Sequence, residues 1–290
     1  MREISLRTTP AAPRTWFITG ASRGLGHAFA VAALERGDQV AAAARSITRD
    51  HFDQRHADRI LTLNLDVTDR AAVMAAVSSA VERFGRLDIV VNNAGTMASG
   101  MLEEFTEAEA RSQMEVNLFG ALWVCQAALP HLRNQNSGHI VQVSSIAGLG
   151  GFPTTGMYSA SKFALEGMSE ALAMEAAAFG VKVTIVQPGG YWTDLYTSMT
   201  STAPLEPYDP LREELARQWA EGSIDSEPEL AAAAMLKLVD SDNPPPRLLL
   251  GSMVFDLAFD ISRQRMAVWE SWEQVSRAAE HAVPAPEQIA

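Results

Sequence analysis

The stretch TWFITGASRGLG, residues 15–26, closes a short apolar run on a glycine-rich turn and opens into HAFAVAALERG, residues 27–37, where apolar residues recur at helical spacing up to a stop at Gly37. This is a strand–turn–helix unit with glycines at 20, 24 and 26. A turn of this kind presents backbone N–H groups and the positive end of a helix to an anion, and glycine is required where a Cβ would block its approach. A dinucleotide's pyrophosphate suits that position. The spacing is G-x-x-x-G-x-G rather than G-x-G-x-x-G, and an ordinary βα turn also uses glycine for packing. The flanking segments therefore have to decide between the two.

Outward from this turn, apolar runs alternate with helical patterns. QVAAAAR (39–45), RILTLNLDVTD (59–69), LDIVVNNAG (87–95), GHIVQVSS (138–145), VKVTIVQPG (181–189) and RLLLG (247–251) read as further strands. RAAVMAAVSSAVERFG (70–85), with Asp69 as its cap, residues 107–132 and the run from Tyr158 to Phe179 read as helices between them. Strands alternating with helices of this length predict a parallel sheet, doubly wound and Rossmann-like, with helices on both faces. About seven strands in the order 3-2-1-4-5-6-7 are expected. The predicted organisation is a leader at 1–13, one domain over 14–251 and a helical extension and tail at 252–290. The segment 190–226 interrupts the strand–helix rhythm and is the expected substrate loop.

Composition narrows the function. The formal charge of −12 and pI near 5.0 exclude a basic nucleic-acid or anionic-membrane binder. No apolar run reaches the length of a membrane span, and the N-terminus has polar residues where a signal peptide needs an apolar stretch, so a cytoplasmic protein is expected. One cysteine, Cys125, forms no internal disulfide and is expected to be buried and inert, and six scattered histidines suggest no metal site.

Two features bear on chemistry. An NAD site expects an acidic residue at the tip of the second strand to bind the ribose 2′-hydroxyl, but AAAARS ends in Arg45, and Arg23 lies inside the glycine turn. Guanidinium groups there suit a 2′-phosphate, so NADP(H) is expected over NAD(H), the alternative being two solvated surface arginines. In YSASK, Tyr158 and Lys162 are one helical turn apart and share a face. Taken alone, they read as a packed tyrosine and a solvated lysine.

The set TGASRGLG (19–26), Asp66-Val67, NNAG (92–95), Asn117, Ser145, YSASK (158–162) and PGGYWT (188–193) resembles the short-chain dehydrogenase/reductase family in order and spacing, with Ser145 thirteen residues ahead of Tyr158. The resemblance covers about residues 14–251. It implies a catalytic set of Asn117, Ser145, Tyr158 and Lys162, with Ser144 the adjacent alternative that points to the strand's other face. It implies that Thr19, Gly20, Ser22, Arg23, Gly24, Leu25 and Gly26 carry the pyrophosphate, and that Asp66 and Val67 flank the adenine. Asn93, Ala94 and Gly95 would lie along the adenosine ribose, and Pro188, Gly189, Tyr191 and Thr193 near the nicotinamide. Tyr158 and Lys162 would also touch the cofactor. The implied reaction interconverts a ketone and a secondary alcohol in a homodimer or homotetramer. Met97, Phe152, Met157, Trp192, Leu195, Tyr196, Met199 and Trp219 are candidates to line an apolar or aromatic substrate, or to pack beneath the loop itself. The rival readings are a non-redox epimerase, dehydratase or cyclase on the same scaffold, and a cofactor-binding regulator. Phe255, Phe259, Met266, Trp269 and Trp272 of the extension are expected to pack on the subunit's flank and against a neighbouring subunit, the alternative being a place over the substrate mouth as a lid.

Overall fold

A computed structural model describes residues 13–191, 198–222 and 225–280. Its main sheet has seven strands: β1 (Thr15–Thr19), β2 (Gln39–Ala44), β3 (Ile60–Asn64), β4 (Ile89–Asn92), β5 (Gly138–Val143), β6 (Val181–Pro188) and β7 (Arg247–Leu250). All pairings are parallel, and the spatial order is 3-2-1-4-5-6-7, as expected.

The helices are α1 (Gly24–Glu35), α2 (Arg70–Phe84), α3 (Glu107–Met114), α4 (Gly120–Gln135), α5 (Gly156–Ala177), α6 (Asp209–Gly222), α7 (Pro228–Asp240), α8 (Ser252–Ser271) and α9 (Glu273–Ala278). Successive strand residues face opposite sides, which divides the core in two. Trp16, Ile18, Val40 and Ala42 pack with α1 and α7, while Phe17, Ala41 and Ala43 pack with α2, α4 and α5. β2 is QVAAAA, a helix-prone composition held as a strand by burial on both faces, where small side chains let the helical layers close in.

Local signals are used as expected at several boundaries. Asp69 caps α2 by accepting from the Ala72 N–H at 3.0 Å, and Gly85 ends that helix in the left-handed region, at φ 78°. Four expectations need correction. The helix read over 107–132 runs on to Gln135 and carries a π-turn at Glu115–Phe119 between α3 and α4, a local insertion that sequence periodicity does not register. The helix carrying Tyr158 begins two residues earlier, at Gly156. A two-residue parallel ladder, Ala98–Ser99 with Thr200–Ser201, lies outside the main sheet.

The fourth correction concerns α8. It touches the body through Val254, Ala258 and Ile261, the first lying against Gly189 and the last against Gly150. Phe255, Phe259, Met266, Trp269 and Trp272 are 47–63% exposed and do not pack on the flank. The narrower stripe of smaller side chains fits between the loops after β5 and β6, which turns the aromatic stripe outward. Of the leader only residue 13 is described. Trp192, Thr193, Leu195 and Tyr196, the Trp219 side chain and the tail from 281 lie outside the described residues.

Cys125 is buried in α4 within 3.4 Å of Asn92 Nδ2 and 3.3 Å of Gln142 Nε2, and burial pushes its thiol up to about 11. The thiolate is the reactive form. The native protein at pH 8 should therefore react with a disulfide reagent more than about 100-fold slower than a free thiol of pKa ~8.5. Full reaction is expected in guanidinium. Rapid labelling of the folded protein would contradict this burial.

Candidate active site

The glycine turn after β1 is locked by the NNAG segment after β4. Thr19 Oγ1 accepts from the N–H groups of Asn93 (3.1 Å) and Ala94 (3.0 Å), and Asn93 Nδ2 donates to the carbonyls of Thr19 (3.0 Å) and Gly20 (3.1 Å). A Cβ at Gly26 would sit 2.3 Å from both Asn93 Nδ2 and the Gly20 carbonyl oxygen. Asn93 thus shapes the turn with the amide that was expected along the ribose. At the start of α1, Arg23 is the N-cap with extended backbone, no side chain caps the first turn, and no acidic residue lies within it. The N–H groups there face the carboxyl ends of β1 and β4, and this fits a pyrophosphate. Ser22, Gly24 and Leu25 complete the turn, half-buried.

Beyond the tip of β2, Arg45 is exposed, as is Arg23 across the turn. Asp66 accepts from the Thr68 N–H (2.9 Å) and hydroxyl (2.8 Å), which hold its carboxyl below the usual range, with Arg45 adding to the effect. Val67 is buried against Gly120 at the start of α4, where a Cβ would come within 2.7 Å of it.

The π-turn delivers Asn117 to the same end of the sheet, 2% exposed. Its Oδ1 accepts from the Thr96 N–H (2.9 Å), and its Nδ2 donates to the Thr96 carbonyl (3.0 Å) and to Ser161 Oγ (3.0 Å). Ser161 Oγ in turn donates to the Tyr158 carbonyl (2.7 Å). The Asn117 amide therefore couples the NNAG loop to the first turn of α5.

Lys162 is buried, and its Nζ donates to the Val143 carbonyl at 2.8 Å, tying α5 to the end of β5. Burial lowers its pKa to about 8, and the nearby Glu166 carboxylate opposes the shift. Lys162 Nζ lies 5.7 Å from the centroid of the Tyr158 ring. Gly95 runs past both groups: a Cβ there would make ordinary contacts, 3.4 Å from Asn117 Oδ1 and 3.9 Å from Lys162 Nζ. Tyr158 itself is 8% exposed and packs with Met97 and Ala147, with Phe152 and Met199 against them. Met157 stands half-buried outside that cluster.

The two serines after β5 part ways. Ser144 Oγ donates to Glu166 Oε1 at 2.6 Å in the interior, whereas Ser145 is half-buried and its Oγ accepts from the Ala147 N–H at 3.2 Å. At the end of β6, Pro188 pairs with Leu250, the Gly189 N–H donates to the Leu250 carbonyl (3.2 Å), and a Cβ at Gly189 would meet Val254 at 2.5 Å. Tyr191 is 7% exposed, bridges to Ser226, and has its phenol pKa raised by burial.

Sequence reasoning missed Glu166. This carboxylate is 3% exposed and accepts from Ser144 Oγ, from Gln187 Nε2 (2.8 Å) and from Arg247, which also binds Glu170 at 2.5 Å. Its position was a usable signal: it stands four residues after Lys162 and eight after Tyr158, on the same helical face.

The fold and the cleft define a dinucleotide-dependent oxidoreductase of the doubly wound class. A family profile described as short chain dehydrogenase matches residues 14–204. The oxidoreductase BOA17 of Botryotinia fuckeliana is 40% identical over 92% of this chain and 99% of its own. The 3-ketodihydrosphingosine reductase of Bacteroides thetaiotaomicron is 38% identical over 83% of this chain and 89% of its own. Among solved structures, a short-chain dehydrogenase from Streptomyces avermitilis has a TM-score of 0.85 at 36% identity, covering 93% of this chain and all of that one. An alcohol dehydrogenase of Thermococcus sibiricus, complexed with 5-hydroxy-NADP, has a TM-score of 0.68 at 28% identity, covering 82% of this chain and 96% of that one. The chain belongs to the short-chain dehydrogenase/reductase family and is an NAD(P)-dependent oxidoreductase acting between CH–OH and C=O.

The Lys162 pKa carries a stability prediction. Its folded value, about 8, is below its ordinary 10.5, so the unfolded chain binds more protons between those values and this group's contribution to stability rises with pH across that window. Lys162→Met lacks the term. In urea titrations, wild type should gain stability relative to the variant between pH 8 and 10.5. Parallel pH profiles would show that the ammonium is not desolvated.

Proposed function

We propose that the protein is an NADPH-dependent reductase of ketones, reversible toward the secondary alcohol, with a small apolar or aromatic substrate. The observation that carries this is the buried Lys162 ammonium held 5.7 Å from the Tyr158 ring centroid at the carboxyl ends of the strands. Ligands of open α/β sheets bind at those ends.

The bound nicotinamide supplies the hydride. The protein's own task is the proton. A free phenol titrates near ~10 and donates or accepts poorly at neutral pH. The adjacent ammonium favours the phenolate, which lets Tyr158 act as general acid in reduction and general base in oxidation. Lys162 would also hydrogen-bond the ribose of a bound cofactor. The Ser145 hydroxyl, on the cleft side of the serine pair, donates to the substrate carbonyl oxygen and polarises it. Asn117, its amide held by Thr96 and Ser161, would support a proton-relay water. Met97, Phe152 and Met199 around Tyr158 favour an apolar guest. The 3-keto substrate class in the name of the Bacteroides relative accords with this reading.

NADP(H) is the proposed cofactor. Arg45 occupies the β2 tip, where an NAD site would place a carboxylate, and Arg23 lies across the turn. The NADP analogue bound by the Thermococcus relative supports the assignment. Residues 14–251 would form one catalytic unit with the 190–226 segment as its substrate loop, and 252–290 an extension. The proposed setting is a cytoplasmic homodimer or homotetramer. Among the described residues, no helix is long and apolar enough to cross a membrane.

Tyr158→Phe should lower turnover several hundredfold while NADPH binding, followed by cofactor fluorescence, stays within about twofold, because the ring still packs but the proton is lost. A variant retaining a tenth of wild-type activity would remove Tyr158 from the proton path. Wild type should also favour NADPH over NADH in kcat/KM. Arg45→Asp should erase most of that preference by placing a carboxylate against the 2′-phosphate. Equal kcat/KM for the two cofactors in wild type would refute the NADP assignment.

A further inference from the structure

The segment from Met199 to Arg212 is tied to the body at one buried carboxylate. Glu104 ends the single 3-10 turn Leu102–Glu104, and its side chain is 1% exposed. It accepts from the N–H groups of Met101 (2.8 Å) and Leu205 (2.8 Å) and from the Thr202 hydroxyl (3.0 Å), and it pairs with the Arg212 guanidinium. All but Met101 belong to the 199–212 segment. The same segment adds the short ladder in which the Thr200 N–H donates to the Met97 carbonyl (3.2 Å) and the Thr202 N–H to the Ser99 carbonyl (3.0 Å). The approach is so close that a Cβ at Gly100 would sit 2.0 Å from the Thr202 hydroxyl. Immediately before this ladder, Met199 packs in the cluster around Tyr158.

We infer that Glu104 is a positioning residue for the substrate: the bonds that converge on its carboxylate fix Met199 over the tyrosine and so set how firmly a bulky apolar ketone is held. The inference rests on the reductase reading. A carboxylate is the required group because both of its oxygens only accept. An amide would turn its own N–H groups on one of the two donor pairs, Met101 and Thr202 or Leu205 and Arg212, leaving buried donors unpaired. Glu104 touches neither the cofactor turn nor Lys162, so loosening it should weaken the hold on the distal part of a substrate while sparing hydride and proton transfer.

The experiment compares wild type, Glu104→Gln, Arg212→Met and the double variant as full-length proteins. In hydrogen exchange without ligand, Glu104→Gln should speed exchange of amides in 199–212 at least tenfold and leave those of α1 and α5 unchanged. With saturating NADPH, its KM for 2-tetralone should rise at least fivefold with kcat within threefold, cyclohexanone should change less than twofold, and NADPH affinity should hold. Arg212→Met should shift both readouts in the same direction, and the double variant should be no worse than Glu104→Gln, because both changes cut one network. Wild-type protection of 199–212 in Glu104→Gln overturns the inference. So does an equal loss on both ketones together with NADPH affinity, which marks a merely structural role. If Glu104→Gln loses protection throughout, a protected 199–212 in Arg212→Met overturns it as well. Wild type that binds NADPH yet reduces neither ketone refutes the reductase reading instead, and the exchange data then decide the role of Glu104 by themselves.

Discussion

A carboxylate withdrawn from water costs several kcal/mol unless its lone pairs find donors, and removing a partner from such a buried group is strongly destabilising. Glu166 meets that condition by drawing on three strands at once: Ser144 just past β5, Gln187 in β6 and Arg247 in β7. The contact is so close that a Cβ at Gly148 would lie 2.0 Å from Glu166 Oε1, which makes glycine necessary there. The ends of three strands and one face of α5 are thereby held in a single arrangement. Ser145 follows Ser144, Lys162 stands one turn before Glu166, and Pro188 follows Gln187. Ser145 and Lys162, both proposed to act on the reaction, are thus tied closely to this carboxylate.

On the cofactor side the same logic is carried by neutral polar groups. Asn93 and Thr19 exchange hydrogen bonds across the β1 and β4 ends, and glycines at 20 and 26 leave room for backbone and side-chain atoms at that junction. Asn117, brought round by the π-turn, extends the network through Thr96 and Ser161 to the start of α5. The cleft is therefore framed by loops interlocked through these hydrogen bonds. Such preorganisation spares reorganisation when charge develops on a substrate oxygen.

The chemistry-bearing end of the molecule is also where the expectations from sequence needed revision. The long helix that begins at residue 107 carries a π-turn at Glu115–Phe119, an extra residue in one turn that the sequence does not announce. Asn93, read as a cofactor-side residue in the motif, also ties the turn, its amide donating to the carbonyls of Thr19 and Gly20. The aromatic stripe of α8 reads as a packing face, but the body accepts the narrower stripe of Val254, Ala258 and Ile261. Amphipathicity shows that a helix has a face and does not show which surface will receive it.

What the sequence determined by itself is whatever depends on local rules: the alternation of apolar runs and helical patterns, the glycine turn after β1, the Asp69 cap, the one-turn spacing of Tyr158 and Lys162, and through these the parallel order 3-2-1-4-5-6-7. These are legible because period, capping and turn chemistry act over a few residues. Only the tertiary structure decided that Ser144 is bound to Glu166, that Lys162 is desolvated to a pKa of about 8, and that Glu104 and Glu166 are buried at all. Burial of a charge is a sum over partners tens to more than a hundred residues away, such as Arg212 for Glu104 and Arg247 for Glu166, and only folding brings those partners together.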